Sequence, residues 1–169
     1  MIMRIVVGVV AGLIGMFAVR TLFDRGPSLP DQLAGSPRMT TQAAKDFEKQ
    51  MADEGDKWDL KVATAVYGSG VSPSFLVLLV QGSAVETTDE LFDSLVNGMA
   101  NSGATIDQAA TVSGQHAGAD YRCVPLNAGQ TQVGACMWRA DGTVGIVIAL
   151  DGGIDHTRDL LFTAYDAVG

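Results

Sequence analysis

Gln132-Val-Gly-Ala-Cys136-Met-Trp138-Arg-Ala-Asp141-Gly142-Thr143-Val-Gly145-Ile-Val-Ile-Ala149 reads as two β-strands folded about a two-residue turn. Asp-Gly between such runs is a strong hairpin signal, because both central residues of the tight turn need positive φ. The turn predicts strands over 132–139 and 143–149 and sets Trp138 opposite Gly145. A ring over a cross-strand glycine covers backbone that the glycine leaves bare. The preceding run, Tyr121-Arg-Cys123-Val-Pro-Leu126, folds back about Gly129 and Gln130. That fold puts Cys123 opposite Cys136 and Tyr121 opposite Trp138. Tyr121, Trp138 and Gly145 are therefore expected in the core rather than on a ligand platform.

Cys123 and Cys136 are the only cysteines. Facing residues of an antiparallel pair lie ~4.5–5.5 Å apart, which is within disulfide range. The alternatives are two buried free thiols or half of a metal site, and two thiols without a nearby histidine fall short of the four ligands that zinc needs. A disulfide implies an oxidising, extracytoplasmic compartment, and closing a loop of this size adds roughly 3 kcal/mol.

Working outward, Thr41 to Glu54 has helical spacing with Ala44, Phe47 and Met51 on one face and Gly55 as its stop. Lys61 to Tyr67 alternates as a strand, and Ser74 to Gln81 is an apolar run suited to a buried central strand. A second helix is expected from Thr87, with Glu90 completing a capping box and Leu91, Phe92, Leu95, Val96 and Met99 facing inward, ending near Gly103. Short strands follow near Ala109 to Ser113 and at 119–126, and Asp155 to Val168 closes the chain as a helix. The expected class is α+β: an antiparallel sheet of about six strands with helices packed on it, order α-β-β-α-β-β-β-β-α, preceded by a single transmembrane helix.

That helix is the apolar run Ile5 to Val19, bracketed by Arg4 and Arg20. Fifteen residues at ~1.5 Å each give about 22 Å, and Leu22, Phe23 and snorkelling arginines extend the span. The rival reading, a cleaved signal peptide, lacks its small-x-small cleavage site in Phe17-Ala-Val-Arg-Thr21. Flanking charges nearly cancel, so the cysteines orient the chain with its C-terminal domain outside the cytoplasm. Gly8, Ala11, Gly12 and Gly15 share one face of this helix, a pattern that lets two membrane helices associate into a homo-oligomer. The expected organisation is an anchor over 4–23, a Pro/Gly linker over 24–39, and an extracytoplasmic α+β domain over 40–169. Gly26-Pro-Ser-Leu-Pro-Asp31 and Gly35-Ser-Pro37 make the linker stiff and extended.

Residues 26–169 carry 8 Lys+Arg and 18 Asp+Glu, a net of −10. That balance excludes nucleic acid and anionic lipid heads as natural partners.

Chemistry-bearing residues are sparse. His116 sits in Ser113-Gly-Gln-His-Ala-Gly118, read as a loop, with no Gly-x-Ser-x-Gly elbow beside a nucleophile. Asp151, Asp155, His156 and Asp159 gather where the last helix begins. Such a set could hold a divalent cation, although the helix dipole stabilises acids there without one. Asp53, Glu54, Asp56 and Asp59 around Trp58 lack the spacing of a calcium loop. The glycine loops at 68–73 and 152–153 lack the Lys-Ser/Thr of a phosphate cradle. No cofactor and no metal is expected.

The segment Cys136-Met-Trp138-Arg-Ala-Asp141-Gly-Thr143-Val-Gly145 resembles the Cys-x-Trp-x-x-Asp-x-Thr-x-Gly hairpin of small actinobacterial envelope proteins with one N-terminal membrane helix. The connector Leu29-Pro30-Asp31-Gln-Leu-Ala34-Gly35 is similar to theirs as well. Ala140 takes the second of the two unspecified positions before Asp141, a place that is acidic in those proteins. The resemblance implies a membrane address and a disulfide, not an activity. The expected function is a non-enzymatic, membrane-anchored domain that binds or senses an envelope component or protein partner. The alternative is an envelope hydrolase or metal-dependent enzyme using His116 or the Asp155/His156 corner.

Overall fold

A computed structural model describes residues 27–57, 59–82, 88–128 and 131–168. The expected anchor over 4–23, with Gly8, Ala11, Gly12 and Gly15, lies outside these residues, as do Thr87 and Trp58. Among the described residues no helix is long and apolar enough to cross a membrane.

The elements in chain order are β1 (Gln32–Leu33), β2 (Ser36–Pro37), α1 (Gln42–Asp56), β3 (Lys61–Ser69), β4 (Ser72–Gln81) and α2 (Thr88–Asn101). They continue with β5 (Thr105–Ile106), a 3₁₀ turn (Gln108–Ala110), β6 (Val112–His116), β7 (Ala119–Ala128), β8 (Thr131–Ala140), β9 (Thr143–Ala149) and α3 (Gly153–Val168). Strands β3 to β9 form one antiparallel sheet in the order β3-β4-β9-β8-β7, with β5 and β6 sharing the outer edge of β7. The architecture is α+β, with 7 strands in the main sheet rather than about six. The additional strand is β5, two residues long and too short to leave a periodicity.

Both faces of the sheet are covered. On one, Phe47 and Met51 of α1 and Leu91, Leu95 and Met99 of α2 pack on Leu78, Met137 and Ile146. On the other, Leu160, Leu161 and Ala164 of α3 pack on Val77, Cys136 and Val147. Strands covered on both faces read as unbroken apolar runs, which explains why β4 and β9 do not alternate.

Several boundaries differ from expectation. Thr41 is the N-cap of α1, its Oγ1 accepting from Ala44 N at 3.3 Å. Gly55 does not stop that helix but lies buried in its last turn, where a Cβ would crowd Val62. The strand expected near Ala109 to Ser113 is a 3₁₀ turn followed by β6, which runs on to His116. Polar, glycine-containing β6 has little strand propensity of its own. It is held by pairing with β7 across a tight turn at Ala117 (φ 49°) and Gly118 (φ 88°). Asp141 (φ 46°) and Gly142 (φ 75°) make the corresponding turn between β8 and β9.

The largest difference concerns the residues assigned to a linker. Residues 27–39 form a strap across the α3 side of the sheet, closed by the small β1–β2 pair. Leu29 and Leu33 are 8% and 4% exposed and join the core beside Tyr67 and Phe75. The Tyr67 hydroxyl donates to the Pro30 carbonyl at 2.8 Å, and Met39 N donates to Val66 O at 2.8 Å. Arg38 ends the strap with two bonds to the Glu48 carboxylate, at 2.7 and 3.2 Å, which hold its guanidinium charge more firmly than usual. Two leucines spaced by four residues thus outweigh the prolines and glycines around them.

Candidate functional groove

One row of facing residues crosses the sheet on its α3 side: Gly114, Tyr121, Trp138, Gly145, Leu79 and Ala63. The two aromatics at its centre lean outward over the glycines that flank them. A Cβ at Gly145 would overlap the indole of Trp138, and one at Gly114 would come within 2.9 Å of the Tyr121 hydroxyl oxygen. Two residues along the same strands, Cys123 and Cys136 form a disulfide across β7 and β8, with Cα atoms 4.0 Å apart. Both cysteines are fully buried under α3. The bridge therefore fixes the register that places Tyr121 beside Trp138.

Beyond this row the sheet ends in the turns at Ala117–Gly118 and Asp141–Gly142. Here the chain enters at Pro27 and α3 finishes at Val168, and here a groove opens. Its first compartment, about 490 Å³, lies between Pro27, Leu79, Gln81, Trp138, Thr143 and Val168. Its second, about 500 Å³, lies between Gly118, Asp120, Arg139 and Gly142. Ala140, Asp141 and Tyr165 belong to both, so the compartments adjoin. Each is within the usual size range of small-ligand sites, roughly 300–1,000 Å³. Trp138 is only 2% exposed and reaches the groove through its edge, so it is a wall rather than a stacking platform. Tyr165 stands edge-on to it, with ring centroids 5.9 Å apart.

His116 is not the exposed loop residue that the sequence suggests. Its ring stacks on Phe162 with centroids 4.1 Å apart and meets the edge of Tyr165. Its Nε2 is 3.0 Å from Asp166 Oδ1. Tyr121 and Trp138 complete the cluster, which leaves no room for a water molecule. The ring clamps the β6–β7 turn to α3, assisted by the Tyr165 hydroxyl donating to Ala117 O at 3.4 Å. This geometry offers packing, not a reaction chamber.

The Asp155/His156 corner is dispersed. Asp155 pairs with Arg158 at 3.2 Å, and His156 lies 3.9 Å from Asp151, with both acids and the histidine exposed. Among the described residues no three His, Cys, Asp or Glu side chains converge as metal ligands would. Gln81, the strap and the β6–β7 turn were the parts of the groove that sequence reasoning missed. The Ala-Gly dipeptide at 117–118 is a weak turn signal, since alanine seldom takes positive φ.

Comparison with protein-family models, with curated proteins and with solved structures finds no match to this chain.

Proposed function

We propose that this chain is a non-enzymatic, membrane-anchored extracytoplasmic domain, with residues 4–23 as a single-pass anchor, that binds a ligand or envelope partner in the groove at the Asp141 end of the sheet. The observation that carries the reading is the groove itself: two adjoining compartments walled by Trp138 and Tyr165 and rimmed by polar groups. The address is supported by the uncharged run Ile5 to Val19, by the disulfide, which persists in oxidising compartments, and by the resemblance of the Cys136–Gly145 hairpin to actinobacterial envelope proteins.

The enzyme reading has one observation in its favour, the approach of His116 to Asp166. Against it, the ring is stacked on Phe162 and packed against Tyr165. The space among these side chains is too small for a water molecule, whereas a general base must reach a substrate proton.

Complementation in a strain lacking the gene separates the two. Ala140→Trp places a large ring between both compartments, and His116→Ala with His156→Ala removes both imidazoles. Loss of function with Ala140→Trp and retention with the double histidine variant is the expected result. The reverse pattern would put the enzyme reading first.

A further inference from the structure

Taking the groove as the binding site, we infer that its ligand presents a cationic hydrogen-bond donor, an alkyl-ammonium or alkyl-guanidinium group on an apolar stem. Asp141 stands between the compartments, and its carboxylate makes no hydrogen bond or ion pair among the described residues. Asp120 supplies a second carboxylate, oriented by Gln115 Nε2, which donates to its Oδ1 at 2.9 Å. Arg139, the cation on the same wall, already has a partner of its own and lies opposite Asp120 in register.

A separate feature points the same way. Gln81 borders the first compartment, and its Oε1 is buried without a donor. That oxygen has no accessible surface, so a rotation of the side-chain amide must bring it to the compartment before a ligand's donor can satisfy it. Helix α3 ends at the groove with no basic residue in its last turn, leaving the negative end of its dipole uncompensated. Leu79 and Tyr165 provide apolar contact for a stem, with the edge of Trp138 behind them. An anion would meet Asp141 and the helix terminus unfavourably. A wholly apolar ligand would cover the Asp141 carboxylate without giving it a partner. The net charge of −10 over residues 26–169 draws cations toward the domain from a distance.

The same chemistry can arrive as a free amine or as the side chain of a basic peptide, and the test distinguishes them. The full-length chain in detergent micelles is titrated with agmatine, with pentanamide as a neutral counterpart, and with a capped peptide carrying one arginine among serines and glycines. Resonances of the Trp138 indole N–H and the Gly142 amide are followed by NMR. Saturable shifts with agmatine, the peptide or both, but not with pentanamide, are expected; agmatine alone assigns a small amine, the peptide alone a basic segment. Asp141→Asn, which keeps a residue suited to the turn, should weaken the cation roughly tenfold, the loss of one charge-assisted contact. Equal binding of pentanamide, unchanged affinity in Asp141→Asn, or no shift with any probe would overturn the cationic assignment. The Ala140→Trp complementation result then decides the wider binding reading by itself.

Discussion

The indole of Trp138 lies directly over the backbone of Gly145 on the neighbouring strand, filling the volume a Cβ would need. Tyr121 does the same to Gly114 on the other side, so four strands are joined by a row of rings resting on bare backbone. The arrangement couples packing to register, because a one-residue slip would send each ring to the opposite face.

Trp138→Ala should therefore destabilise the fold by about 3–5 kcal/mol. Gly145→Ala should cost about 1–3 kcal/mol, since the added methyl forces the ring or strand to move. In the double variant the overlap is gone, and the two losses should sum to less than their separate values. Urea unfolding of the four forms gives the coupling directly.

Peptide mapping under non-reducing conditions should recover Cys123 joined to Cys136. Because both residues are fully buried, thiol reductants should open the bridge only as fast as the domain unfolds. Replacing both cysteines by alanine should cost roughly 3 kcal/mol. Rapid alkylation of both thiols in native protein would contradict the pairing.

Leu29→Ala and Leu33→Ala test the strap. Each removes a buried side chain and should cost about 2–5 kcal/mol, whereas a free linker would tolerate either within about 0.5 kcal/mol. Thermal denaturation of the single variants is sufficient to tell these outcomes apart.

Tyr67 adds a pH dependence. Burial pushes its phenol up to about 12, with Arg38 opposing the shift, against about 10 in an unfolded chain. The folded state holds this proton more tightly, so the contribution is full below about pH 10 and is lost as pH rises toward 12. Stability should fall across that window, and Tyr67→Phe should fall less steeply, as followed by denaturant unfolding at successive pH values.

Much of the sheet was legible because turns and cross-strand pairs are local. Asp141-Gly142 specified a register that carried Trp138 to Gly145, and the spacing about Gly129 and Gln130 carried Cys123 to Cys136. The same counting could have reached Gly114, opposite Tyr121, had the Ala117-Gly118 turn been recognised. His116 was misread for that reason: without the turn, nothing places it against Phe162 and Asp166, both about fifty residues away in the chain. The strap was hidden by composition, since proline and glycine suggest an open linker and Leu29 and Leu33 reveal themselves only when Tyr67 is near. The groove was beyond reach because its walls come from five separated segments, and concavity is a property of their assembly.

Strand β4 also sets a distance. Its 10 residues extend about 33 Å from Gln81, beside the groove, to the hairpin that carries Val71. Val71 is 86% exposed, the most accessible large apolar side chain among the described residues. Pro27 lies at the opposite end, within the groove wall. The domain is thus a ruler with unlike ends. One end carries the acidic groove beside Pro27, and the other carries the single exposed valine of the β3–β4 turn. A label at Val71 would report how far the domain stands from whatever holds its N-terminal segment, and it would do so without touching the groove.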